Sequence, residues 1–188
     1  MANKDSGYLE EFGKILFNIV ECIIKEKVSI PLTIEPKMAL KTIHEYDSRM
    51  RVSALEKFND AGYISYVNFY RSEGDKQKQN TIGALVFYVK EFEIEATMKI
   101  LGVKVDEEVQ EDVCKNLSEF FKTLTAEFKK AIVAVGYPNL VSSEPASFRN
   151  NVPKGVLFSF DQYDKYEVII PIKGQVLYAM DITLTRLK

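Results

Sequence analysis

Val109, Val113, Leu117, Phe120, Leu124, Phe128, Ala131 and Val135 recur at steps of 4, 4, 3, 4, 4, 3 and 4 residues. That spacing draws one apolar stripe along roughly seven turns of α-helix. A helix with a single apolar stripe draws most of its stability from packing, so the stripe must be covered by another layer. Asp106, Glu107 and Glu108 suit its N-terminus and Lys129 and Lys130 its C-terminal part, by the sign of the helix macrodipole. Gly136 and Pro138 end it. Tyr8, Phe12, Ile15, Leu16, Ile19, Val20, Ile23 and Ile24 predict a second helix of the same kind over about 6–25, capped by Asp5 or Ser6.

The covering layer is written in the rest of the chain. Pro31 and Pro36 break helicity, and "IEPKMALKTI" reads as extended. "YISYVNFY" (63–70) and "TIGALVFYV" (81–89) are aromatic and β-branched, and predict a hairpin across the polar "RSEGDKQKQN", read as a long solvated loop with a mobile tip. A short helix over about 91–101 ends at Gly102. "GVLFSF", "YEVIIPI" and "GQVLYAMDITL" predict three more strands, with turns at "DQYDK" and "KG". The fold class is α/β of the α+β type, with two long amphipathic helices on a largely antiparallel sheet in one domain over 1–188.

Charge and composition exclude several functions. The formal net charge is −2, which gives no bulk attraction to nucleic acid or to an anionic membrane. "ILFNIVECII" is about half the ~20 residues of a membrane span, and Asn18 and Glu21 interrupt it. No basic segment or small-residue cleavage site precedes it, so a signal peptide is not expected. Cys22 and Cys114 lack CxxC spacing and read as reduced, partly buried thiols of a cytoplasmic protein. His44 is the single histidine, which excludes a multi-histidine metal site. GxxxxGK[ST], HExxH and GxSxG are all absent, so neither a nucleotide loop, a zinc protease motif nor a nucleophile elbow is written here.

The two long helices also resemble each other. "LEEFGKIL" (9–16) lies against "LSEFFKTL" (117–124) at an offset of 108 residues. "VSIPLTIEP" lies against "VGYPNLVSSEP", with Pro31 and Pro138 offset by 107 and the Glu-Pro pairs Glu35-Pro36 and Glu144-Pro145 by 109. Three landmarks in one order point to an internal repeat, with halves at about 8–102 and 106–188 and the two helices side by side on one sheet. Convergence of two helix–loop–strand units on the same signals is the competing reading.

With these segments in place the chain resembles the CheX/CheC family of bacterial chemotaxis proteins, and CheX within it. "GALVFYVKEFEIEATMKILG" is similar to the family's Gly-led strand and short helix, and "EDVCKNLSEFFKTLTAEFKKAI" to its long active-site helix. "VGYPNLVSSEPASF" resembles the loop after that helix. The resemblance covers about 8–184. It implies two pseudo-symmetric helices over a sheet and phosphatase action on the phosphorylated receiver CheY. The family's signature is Glu, two residues, then Asn, once or twice per chain. Residues three apart share a helix face, so both reach one partner site. The Glu pairs with a receiver lysine, the Asn positions a water in line with the aspartyl phosphate, and the receiver supplies the magnesium. No cofactor of the chain's own is implied.

Transferred onto this sequence, the Glu falls on Glu119 and, in the first half, on Glu11, while the Asn positions hold Lys122 and Lys14. A carboxamide donates and accepts, whereas an ammonium only donates and cannot aim a water's lone pair. Asn116 is the nearest asparagine, one turn before Glu119 and on the wrong side of it to match the signature. Taken alone, each EFxK segment is also an ordinary exposed helix ion pair worth roughly 0.2–0.5 kcal/mol. Phe12 and Phe120 read as core, while Phe121 flanks the stripe and aligns with Gly13.

Three functions follow. The first is a CheX/CheC-like signalling protein that binds a CheY-like receiver through Glu119, Lys122, Glu11, Lys14 and Asn116, with aspartyl-phosphate phosphatase activity lost or weakened. The second is an active phosphatase using Glu119 with an altered water-positioning group. The third is a non-catalytic scaffold that forms a homodimer through strand edges.

Overall fold

The computed structural model describes residues 7–27, 35–100, 110–159, 161–172 and 175–186. Helix α1 (Gly7–Lys27) follows the first apolar periodicity and buries Leu9, Phe12, Leu16, Val20 and Ile24. Strand β1 (Lys37–Thr42) is the extended run read after Pro36. A small hairpin of β2 (Glu45–Tyr46) and β3 (Arg49–Val52) comes next, then a five-residue helix α2 (Ala54–Phe58) ended by Asn59 in the left-handed region. The predicted hairpin is β4 (Gly62–Tyr70) and β5 (Gly83–Lys90), paired antiparallel. Its connection is not an open loop. It holds helix α3 (Glu73–Gln77), whose N-cap Ser72 accepts the Asp75 N–H.

A 3-10 turn (Glu91–Glu93) leads into α4 (Ile94–Ile100). Helix α5 (Gln110–Ile132) is the long stripe, extended by a 3-10 turn (Val133–Val135) and stopped by Gly136 at φ 97°, the backbone a left-handed cap requires. The segment after it, read as loop, contains β6 (Val141–Ser142) and β7 (Ala146–Asn150). Only Lys154–Val156 of the "GVLFSF" region is strand (β8), and 157–159 are not. Strands β9 (Asp164–Ile172) and β10 (Gln175–Leu184) end the fold as expected. Pro31, Gly102, the 106–109 acidic start of the stripe and the "KG" turn lie outside the described residues.

The main sheet has the order β1-β9-β10-β5-β4, with β6 and β7 sharing the outer edge of β4, and every ladder in it is antiparallel. The order is palindromic about its centre. The last strands of the two halves, β5 and β10, pair with each other. The strand after α1 crosses to β9, and the strand after α5 crosses to β4. The edge strands β1 and β7 begin at an offset that matches the EFxK offset within one residue.

Side chains alternate across this sheet, and each set meets a different layer. Val67, Phe69, Phe87, Val168, Tyr178 and Met180 face α1 and α5 and form the larger core. Phe121 is fully buried and stacks on Phe87 with centroids 6.1 Å apart, so its place beside the stripe is a core place. In the first half the matching residue is Gly13. A Cβ there would lie 2.4 Å from Tyr166 Cδ1 and 2.5 Å from Cε1, so the sheet supplies the ring that the helix lacks. Met50, Val52, Ile64, Val86, Tyr88 and Val156 form a second core on the opposite face, under the three-stranded sheet β2-β3-β8.

That second face also carries buried charge. Asp181 is fully buried; its Oδ1 accepts from Lys57 at 2.7 Å and its Oδ2 from Lys165 and the Tyr88 hydroxyl, each at 2.8 Å. Lys57 also bonds Glu167. Burial pushes the Asp181 carboxyl up, but Lys165 and Lys57 outweigh it and hold the pKa at about 2. Burial also lowers the Lys57 pKa, and Asp181 and Glu167 outweigh it to leave the group raised. Burial drives the Tyr88 hydroxyl well above its ordinary range, and the adjacent Asp181 adds to the shift.

Two outcomes follow for stability. Gly13→Ala forces Tyr166 aside and is expected to cost about 1–3 kcal/mol by urea unfolding, despite the better helix propensity of alanine. Asp181→Asn leaves two buried ammonium groups short of their acceptor and is expected to cost about 3–5 kcal/mol. Because the folded pKa of Asp181 lies below its unfolded value, its contribution is complete above about pH 5 and is lost as pH falls toward about 2. An acid-unfolding curve unchanged in Asp181→Asn would contradict this.

Candidate functional site

Helices α1 and α5 run side by side on one face of the sheet, α1 over β1, β9 and β10 and α5 over β4 and β7. Phe12 of α1 meets Phe128 of α5 edge to face at 6.0 Å and Tyr137 at 5.2 Å. With the inner stripes fixed, the polar residues of both helices share one outer surface. Glu11, Lys14, Glu119 and Lys122 are all exposed on it, and Asn116 is half-buried. Glu11 stands near the C-terminal third of α5, and Glu119 lies about 13 Å back along α5 from Phe128.

The i,i+3 ion pairs read from the two EFxK segments do not form. Lys14 bonds Glu10, one turn back, at 2.7 Å, and the Glu10 bond raises the lysine's pKa. Lys122 reaches across to Glu144, in the link between β6 and β7, at 3.5 Å. Glu11 and Glu119 are therefore left without an ion-pair partner among the described residues. Both lysine pairs are solvent-exposed and contribute little to stability. Asn116 donates its Nδ2 back to the Asp112 carbonyl at 2.9 Å, which ties its amide to its own helix.

The surface is held from beneath by contacts that the sequence did not reveal. Ser118, next to Glu119, donates to Ser147 of β7 at 2.7 Å, and Ser147 meets Ser65 of β4. This hydroxyl chain pins the middle of α5 to the sheet edge. Serines are common enough that only the register of β7 against β4, which pairs Ser65 with Ser147, identifies it. Glu144 could be read only as half of a Glu-Pro landmark, and its contact with Lys122 needed the chain path. Of the two thiols, Cys114 is half-buried, and burial raises its pKa. Cys22 is exposed rather than partly buried, because it falls on the outer face of α1. No helix is long and apolar enough to cross a membrane among the described residues.

Comparison with solved structures gives the architecture a precedent. A CheC-like superfamily protein from Shewanella superposes with a TM-score of 0.60 at 14% identity, over 91% of this chain and 95% of that one. The chain has the CheX/CheC-like fold. The chemotaxis protein CheX from Vibrio vulnificus matches with a TM-score of 0.59 at 12% identity, over 92% of this chain and 97% of that one. CheX from Borrelia burgdorferi, solved in a complex with CheY, BeF3 and Mg, matches with a TM-score of 0.56 at 14% identity, over 92% and 97%. Known protein families give no match, and neither do curated proteins compared by sequence.

Proposed function

We propose that this chain is a CheX/CheC-like signalling protein that docks a CheY-like receiver on the outer face of α1 and α5, with phosphatase chemistry lost or weakened. One observation carries the reading. Glu11 and Glu119, the two positions that the resemblance assigns to pairing with a receiver lysine, are exposed and have no ion-pair partner among the described residues. The lysines that stand three residues on are turned to Glu10 and Glu144 instead. The Borrelia neighbour's complex with CheY supports a receiver as the partner class. The palindromic sheet and the matching offsets support an ancestral duplication as the origin of the two faces.

In this reading the protein contributes orientation and charge, and the receiver brings its own magnesium. Glu119 is the anchor. Lys122 occupies the position from which a carboxamide would hold the attacking water, and its ammonium can only donate. It would draw in the phosphoryl group without aiming a nucleophile. Asn116 stands on the wrong side of Glu119 to match the signature, and one of its two amide N–H donors is held by the Asp112 carbonyl. Retention of activity through Glu119 with an altered water-positioning group is the alternative on the enzyme side.

A purified phospho-receiver or its BeF3–Mg form, titrated with the protein by calorimetry, is expected to bind. Glu119→Gln is expected to weaken that binding by about 10-fold, the size of one charge-assisted contact. Receiver dephosphorylation is expected to be unchanged by the native protein and accelerated by Lys122→Asn. Absence of binding to every receiver of the source organism would sink the reading, and accelerated decay with the native protein would establish the alternative. A dimer is favoured by one further observation: β1 pairs only with β9 and leaves its other edge open among the described strands. Light scattering at working concentration is expected to give a dimer mass, and a monomer mass would exclude it.

A further inference from the structure

The sheet face opposite α1 and α5 opens into a cleft of about 430 Å³ lined by Lys41, Thr42, His44, Glu56, Lys57, Lys165, Glu167 and Ile169. This lies within the usual size of small-ligand sites, ~300–1,000 Å³. We infer that this cleft binds a small oxyanion, a phosphate or carboxylate group, between the ammonium groups of Lys41 and Lys165. The inference is independent of receiver docking, which uses the other face of the sheet.

The first argument is register. Lys41 of β1 lies directly opposite Lys165 of β9. Cross-strand partners point to the same side, and like charges so placed repel. Among the described residues only one of the two is neutralised. Lys165 is nine-tenths buried and bonds Asp181 at 2.8 Å. One carboxylate contact leaves two of its three N–H donors for the cleft. Lys41 is exposed at the rim and has no ion-pair partner among the described residues.

The second argument is the disposition of the acids. Asp181 is shared between Lys57 and Lys165, Glu167 is taken by Lys57, and Glu56 is taken by Arg51 at 2.6 Å. Among the described residues every carboxylate in or under the cleft thus has its cation, and Lys41 is the charge left over. A bound oxyanion would accept from both lysines and cancel the cross-strand repulsion. Lys57 is too fully engaged to act as a nucleophile, since Asp181 and Glu167 hold it charged. The cleft is therefore built for binding rather than for amine chemistry.

The test uses the whole chain, titrated separately with inorganic phosphate and with citrate at fixed ionic strength and followed by amide NMR. Saturable shifts are expected for Thr42, His44 and Ile169 with at least one of the two, with dissociation constants of about 1 mM or tighter. The anion that binds more tightly identifies phosphate or carboxylate as the group. Lys41→Glu, an exposed change, is expected to weaken binding at least about 10-fold. Lys99→Glu, an exposed change on α4, is expected to leave it unchanged. Lys165→Met removes a cation from the buried Asp181, so its thermal unfolding is read beside Lys41→Glu and not in place of it. Linear shifts without saturation for both anions, or equal weakening by Lys41→Glu and Lys99→Glu, would overturn the proposal.

Discussion

The structure depends on one requirement, that two amphipathic helices bury their stripes on the same face of one sheet. Phe12, Leu16 and Val20 on one helix and Leu117, Phe121 and Phe128 on the other converge on Phe69, Phe87, Val168 and Met180. Burial of large apolar side chains contributes about 1.5–3 kcal/mol each, far more than any surface ion pair in the molecule. Once both stripes are committed, the rotation of each helix about its own axis is fixed. Glu11 and Glu119 then have nowhere to face but outward, on a common surface. The candidate site is thus a consequence of core packing and is held without its own charges contributing to stability.

The two halves meet the same requirement with different residues. Phe121 brings a ring from the helix to the sheet, whereas Gly13 makes room for the Tyr166 ring to rise from the sheet to the helix. Volume is conserved across the interface while its source is exchanged, as close packing demands. The opposite face is held differently. Asp181, Lys57, Lys165, Glu167 and Tyr88 form a charged network between the main sheet and α2. Such networks cost desolvation and are kept in place by complete pairing.

The long periodic elements were legible in the sequence because period alone identifies them. Both helices, the β4–β5 hairpin and the β9–β10 pair stand where the apolar patterns put them. The short elements were not. Helices α2 and α3 have five residues each, too few for a period to show, and β7 was hidden in a Pro- and Ser-rich stretch that reads as loop. Asp181 could have been suspected, since an acid within the run "YAMDITL" must be exposed on an edge or paired in the interior. Its partners Lys57 and Lys165 could not have been chosen from many lysines.

By itself the sequence determined the two helical stripes, the strands that cover them and the EFxK correspondence. These are properties of spacing and residue type, and they survive without coordinates. Only the tertiary structure decided which groups those lysines meet. Lys14 turned to Glu10, Lys122 to Glu144, and Lys41 came to stand opposite Lys165. Ion pairing and strand register depend on which distant segments the core brings together, and a lysine's long side chain can reach several acids that no spacing rule ranks.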